Sequence, residues 1–200
     1  MLASSGQVIG LYERNADIWD ARRGTELVLE RDWMDRFLAL VRGSDVLDIG
    51  CGSGQPIGRF LIERACRVTG IDSSPALIAK CRARFPGQEW LVADMRLLSL
   101  GRTFHGLIAW HSFFHLTQAE QRAMFPVFSQ HAAAGAPLLF TSGPEQGEAI
   151  GTFEGEPLYH ASLSPAEYRE LLAAHGFEVI AHMPTDPACG NSTVWLAQRR

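Results

Sequence analysis

Lysine is almost missing from this 200-residue chain, with Lys80 its only example. A phosphate-binding loop of the form G-x-x-x-x-G-K-[ST] is therefore excluded, because Lys80 is far from the one glycine-rich run. No apolar run reaches the roughly 18 residues that a membrane span needs. The opening MLASSGQV lacks the basic-then-apolar pattern of a secretory leader. A cytoplasmic protein with no membrane partner is the expectation. Cysteine is sparse too: Cys51, Cys66, Cys81 and Cys189 include no C-x-x-C pair. Their intervals suit no zinc site, so no metal is expected and free thiols in a reducing compartment are. Basic charge runs out in the second half. Residues 1–103 carry 14 basic and 13 acidic side chains, and residues 104–200 carry 4 and 9. Such a surface repels a polyanion, and nucleic acid is not an expected partner.

What is present reads as one domain. The chain is 46% hydrophobic and 20% charged, enough to bury a core. Val8 to Asp20 reads as a helix, and Glu26 to Leu40 as an amphipathic second one that Gly43 ends. Strand patterns follow at Asp45–Ile49, Arg67–Ile71, Glu89–Ala93, Phe104–Trp110 and Pro137–Thr141. Between them lie helical stretches at Pro56–Ala65, from Ser74-Pro75 to Arg84, and at Thr117–His131, with Ser164-Pro165 opening another that ends near Gly176. Phe177–His182 and Thr193–Ala197 are the last strands; with no room for a helix between them, they pair antiparallel. Alternating strands and helices imply a doubly wound α/β sheet covered on both faces. Gly143 to Ser162 has no clear period and reads as a long, functional loop.

The glycine-rich run is VLDIGCGSGQPIG, Val46 to Gly58, directly after the first sheet strand. Its glycines at 50, 52, 54 and 58 offer no G-x-G-x-x-G register, which disfavours a dinucleotide. Asp48 would set like charge beside a pyrophosphate but suits a cation. Asp72 ends the second strand, 18 residues after Gly54, where a carboxylate accepts both hydroxyls of a ribose. An adenosine ribose joined to a sulfonium and an amino group, as in S-adenosylmethionine, satisfies both acids.

VLDIGCGSG resembles the first motif of the class I S-adenosylmethionine-dependent methyltransferases, small-molecule branch, and VTGIDSSPALIAKCRARFP resembles the second. WLVADMR is similar to the third and FHGLIAWHSFFHL to the fourth, in family order and spacing over residues 8–200. The resemblance implies a Rossmann-like seven-stranded sheet with its last strand antiparallel and an N-terminal helical lid. It implies one domain over 1–200, with 1–43 as lid, 44–200 as cofactor-binding core and 143–162 as a substrate-side loop. It implies a cofactor site of Tyr12, Trp19, Asp48, Gly50, Cys51, Gly52, Gly54, Pro56, Asp72, Ser73, Asp94, Met95 and Trp110. Asp94 would contact the adenine amino group and Met95 would lie on the ring. The product would be S-adenosylhomocysteine, and the partner a small-molecule methyl acceptor, on a monomer or homodimer.

Methyl transfer to an O–H or N–H needs a base as well as alignment, and histidine suits the task. His115 and His111 follow the fourth strand, and Tyr159 and His160 precede the Ser164 helix; these four are the catalytic candidates. His105, His131, His175 and His182 lie in or beside elements and read as structural. Two rival functions are a non-catalytic sensor of S-adenosylmethionine or S-adenosylhomocysteine and a nicotinamide-dependent oxidoreductase.

Overall fold

A computed structural model describes residues 5–200. Residues 1–4, part of the expected N-terminal unit, lie outside the described residues. Five parallel strands form the first part of one sheet: β1 (Asp45–Ile49), β2 (Arg67–Asp72), β3 (Glu89–Val92), β4 (Gly106–Ala109) and β5 (Pro137–Ser142). Two more, β8 (Phe177–Asp186) and β9 (Ser192–Arg199), complete the order β3-β2-β1-β4-β5-β9-β8. The last strand runs antiparallel to both neighbours, β5 and β8. The order is that of a doubly wound Rossmann-like sheet, as the alternating pattern implies.

Period-two alternation sorts the strand residues into two apolar layers. Leu47, Leu107, Leu138 and Trp195 face helices α6 (Gln118–His131) and α7 (Pro165–Ala174). Val46, Ile108, Leu139 and Leu196 face α3 (Arg31–Leu40), α4 (Ile57–Glu63) and α5 (Pro75–Arg84). Every residue of β4 and β5 is buried, as expected where both sheet faces are covered. Helix starts follow their cap chemistry: Ser74 accepts from the Leu77 amide, Ser164 from that of Glu167, and Thr117 with Glu120 closes a capping box. Chain order reverses between β1 and β4, so the crevice opens at the carboxyl ends of these strands.

Three expectations change. The first expected helix is two, α1 (Ser5–Arg14) and α2 (Ala16–Arg23), broken at Asn15. Asn15 turns its side-chain amide onto the Leu11 carbonyl, the local competition that makes asparagine a poor helix interior residue. The second begins at Arg31, not Glu26, since Leu27 is buried but Val28 and Leu29 face out. The expected loop of residues 143–162 is a hairpin of β6 (Gly147–Phe153) and β7 (Glu156–Ser162). Its two-residue turn is Glu154-Gly155, with φ of 51° and 77°, the positive values that a tight hairpin favours.

Candidate active site

The glycine loop leaves β1 and is tied to β2. The amides of Gly50 and Cys51 donate to the Ile71 carbonyl at 2.8 and 2.9 Å. Asp72 accepts from the Gly52 amide and from the Ser74 amide, both at 2.9 Å. One carboxylate thus joins the loop to the start of α5. Gly52 sits at φ 56°, and a Cβ there would stand 2.3 Å from the Trp19 ring of α2. That ring covers the loop and itself lines the cavity.

A cavity of about 430 Å³ opens above this loop, within the roughly 300–1,000 Å³ range of small-molecule sites. One end is acidic. Asp48 is 2% exposed, and burial, reinforced by the Asp72 charge, pushes its carboxyl up to about 7. Burial also raises Asp72, against the pull of the amides that bind it. Asp94 lies below the usual carboxylate range, because Arg96 forms an ion pair with it at 2.5 Å. Tyr12, Trp19, Gly50, Cys51, Ser73 and Met95 complete this end of the wall. Gly54, Pro56 and the Tyr159 side chain are not in the wall. Gly54 closes the loop through its amide on the Cys51 carbonyl, and Pro56 precedes α4. The Tyr159 ring is buried with Val8 and Leu11 of α1.

The other end lies past β4. His111 has a φ of 51°, a conformation held by its amide on Thr141 Oγ1 and its ring on Ser192 Oγ at 3.0 Å. His115 ends a short 3-10 turn, Phe113–His115. Its Nδ1 lies 2.9 Å from the Tyr159 carbonyl and its Nε2 lies 3.0 Å from the Tyr12 hydroxyl. Enclosure by protein pulls both imidazoles down to about 4, and His160, its ring tilted at 42° with its centroid 4.8 Å from that of His115, is lowered by burial as well. Burial pushes the Tyr12 phenol up to about 12. Burial thus favours the neutral form of all three imidazoles. The buried Trp110 indole N–H has no partner among the described residues. His105, His131, His175 and His182 stand outside the cavity wall.

The sequence reading missed Arg23, Ser112 and Ser192, which also line the cavity. Arg23 is paired at 2.6 Å with the buried Glu30. A charged residue seven positions before a partner, in a stretch taken as partly helical, gave no signal. Ser112 had one, standing between His111 and His115.

Helices α1 and α2 cross the mouth. Glu13 accepts from Ser74 Oγ and, at 3.1 Å, from the Ala76 amide at the start of α5. Asp20 pairs with Arg84 at 2.6 Å. On the far side Arg14 meets Glu156 and Arg22 meets Glu154 in the hairpin, at 2.6 and 2.5 Å.

Residues 46–135 match the model of a methyltransferase domain. The chain is 29% identical over 193 residues to a malonyl-[acyl-carrier protein] O-methyltransferase of Serratia marcescens, covering 89% of this chain and 71% of that protein. It is 47% identical over 53 residues to the trans-aconitate 2-methyltransferase of Escherichia coli, a stretch that spans 26% of this chain and 21% of the relative. Among solved structures, magnesium protoporphyrin IX methyltransferase from Synechocystis PCC 6803, with S-adenosylmethionine bound, superposes with a TM-score of 0.76 at 18% identity, covering 100% of this chain and 99% of that one. An amino pentose methyltransferase from Micromonospora echinaspora gives 0.71 at 24% identity, over 89% and 93% of the two chains. With the glycine loop and the sheet order, these likenesses show that residues 46–135 match a methyltransferase domain and that the chain shares the fold of solved S-adenosylmethionine-binding methyltransferases.

Proposed function

We propose that the chain transfers the methyl group of S-adenosylmethionine to a small-molecule acceptor. One observation carries this reading: a single cavity joins the acidic end at Asp48 and Asp72 to a wall of neutral histidines. The residues fit the cofactor. Asp72 has lone pairs left for two ribose hydroxyls, and its raised carboxyl gains from donors that hold the charged form. Asp48 answers the cationic methionine end, and Arg23 stands ready for the methionine carboxylate. Asp94 and Met95 hold the adenine. The cofactor supplies a methyl carbon on a sulfonium leaving group.

The chain's own part is alignment, exclusion of water and proton removal. Tyr12 and Trp19 bring α1 and α2 over the site, and the hairpin closes its other side. His115 and His111 are the bases in reach of an acceptor, with His160 beside His115. A sensor has no need of this histidine wall, and a nicotinamide cofactor does not fit the glycine spacing. Calorimetric titration with S-adenosylhomocysteine and with NAD tests the reading. Binding of the first alone supports it, and release of S-adenosylhomocysteine from S-adenosylmethionine over a panel of thiols, amines, phenols and carboxylates completes it. Tight binding of NAD, or no binding of S-adenosylhomocysteine, refutes it.

A further inference from the structure

The hydrogen bonds around His115 have a fixed direction. The Tyr159 carbonyl can only accept, so the nitrogen 2.9 Å from it, Nδ1, carries the ring proton. A neutral imidazole then has a bare Nε2. The Tyr12 hydroxyl, 3.0 Å away, must donate to it. Tyr12 has spent its only proton, and its oxygen turns lone pairs outward. Tyr12, His115 and His160 all line the cavity. At this point the wall offers an acceptor of hydrogen bonds, not a donor.

We propose that Tyr12 and His115 form a proton-receiving dyad, and that the methyl acceptor it serves is an uncharged hydroxyl group met by the Tyr12 oxygen. The proposal rests on the methyltransferase reading and adds to it the substrate class and the role of Tyr12. In the step, the acceptor oxygen forms a bond to the methyl carbon, and the carbon–sulfur electron pair leaves with sulfur. The acceptor O–H breaks as its proton moves to the Tyr12 oxygen. The original Tyr12 proton moves to His115 Nε2. The products are a methyl ether, a neutral thioether and an imidazolium, so the one positive charge that entered on sulfur ends on His115. The Tyr159 carbonyl remains bonded to Nδ1–H and steadies that cation.

The acid–base match supports the same class. His115, enclosed beside His111 and His160, is held down to about 4 and takes a proton only from a strong acid. A hydroxyl oxygen becomes one as it gains the methyl group, because the alkylated oxonium is far more acidic than the alcohol. An ammonium acceptor must lose its proton before it can attack, and so weak a base cannot remove it at pH 7. A carboxylate has no proton to give, and its lone pairs would face those of Tyr12. The malonyl and aconitate groups in the names of two relatives are acceptors of that kind.

The test uses three probes of similar size: 4-ethylphenol, 3-phenylpropionate and phenethylamine. Each is titrated into the protein saturated with S-adenosylhomocysteine, and histidine ¹⁵N spectra are recorded at pH 7 on the free protein. A proton on Nδ1 of His115 with none on Nε2 is expected. The phenol should bind about tenfold more tightly than either charged probe, the scale of one well-formed hydrogen bond. Tyr12→Phe keeps the ring beside Phe153 and Trp19 but, with the variant likewise saturated with S-adenosylhomocysteine, should reduce that preference to within about threefold. A protonated Nε2 overturns the dyad. So does a phenol that binds no better than the carboxylate, or a preference that survives Tyr12→Phe. Failure of S-adenosylhomocysteine to bind the wild type is a different result, which refutes the methyltransferase reading and leaves the ring-proton assignment to the spectra.

Discussion

Replacing Asp48 by Asn removes one buried carboxyl at nearly constant volume. In the wild type, burial and the Asp72 charge move this group from 3.8 to about 7. A shift of about 3 units at 1.36 kcal/mol each makes ionisation in the empty site cost about 4 kcal/mol, a ceiling that relaxation and water entry will lower. The sign follows from proton counts. Between about pH 4 and pH 7 the folded protein keeps a proton that the unfolded chain has released, so stability falls as pH rises through that window. His111 and His115 act the other way. Their folded values lie below the ordinary 6.5, so their contribution grows as pH rises from about 4 to 6.5. Comparing the wild type with Asp48→Asn cancels the histidines. Urea unfolding at pH 5 and pH 8 should show the wild type losing up to about 2.5 kcal/mol more than the variant over that span, since part of the window lies below pH 5. Binding of a cation beside Asp48 should expel the proton. Calorimetry at pH 7 in two buffers of different ionisation enthalpy should then show proton release on binding S-adenosylmethionine, and none in the variant. Parallel stability slopes, or equal proton release in both proteins, would refute the placement of a protonated carboxyl under the loop.

Asp72→Ala removes the proposed ribose acceptor and the tie to the Gly52 and Ser74 amides. Charge-assisted bonds worth about 1.5–3 kcal/mol predict a tenfold to hundredfold loss of S-adenosylhomocysteine affinity with native circular dichroism, and unchanged affinity rejects the assignment. Gly52→Ala puts a Cβ 2.3 Å from the Trp19 ring at a strained φ of 56°; it should displace α2 and weaken cofactor binding more than about tenfold, and wild-type affinity would mean that Trp19 moves freely. Hydrogen exchange over residues 5–23 and 147–162 should slow on binding S-adenosylhomocysteine, while added salt should speed it in the free protein by screening the exposed pairs Arg14–Glu156 and Arg22–Glu154. Exchange indifferent to ligand removes the lid. With a hydroxyl acceptor, turnover should rise with pH along a limb near 4, not 6.5, and His115→Ala should lower it about a hundredfold; a limb at the ordinary histidine value would show an imidazole open to water.

The sheet was legible because its signals are local. Strands buried on both faces are short apolar runs, and Ser74-Pro75 and Ser164-Pro165 mark helix starts whatever surrounds them. The places of the three acids were legible for the same reason: Asp48 lies in β1, Asp72 ends β2 and Asp94 follows β3, and all three line one cavity. The lid boundaries were not. Asn15 breaks a helix through one side-chain bond to Leu11, and the buried partner of Arg23 lies across a bend at Gly24. The hairpin carried a signal that was passed over, the Glu-Gly turn at 154–155, because exposed strands such as β6 lack apolar alternation. Nothing in the sequence could have set the Tyr12 hydroxyl against His115, 103 positions away.

The two N-terminal helices touch each end of the cavity. Glu13 accepts at the start of α5 behind Asp72, Trp19 covers Gly52, Arg23 lines the wall with Asp48, and Tyr12 meets His115. Both ends therefore depend on one small body. Its attachments to the hairpin are exposed ion pairs, individually worth only about 0–1 kcal/mol, around a buried apolar cluster of Val8 and Leu11 with Leu158, Tyr159 and Ala161, while Glu13 holds the start of α5 on the other side. A lid held on both sides couples the two ends of the cavity: a shift of α1 at the hairpin moves Tyr12 against His115, and the same helix carries Glu13 to the start of α5 beside Asp72.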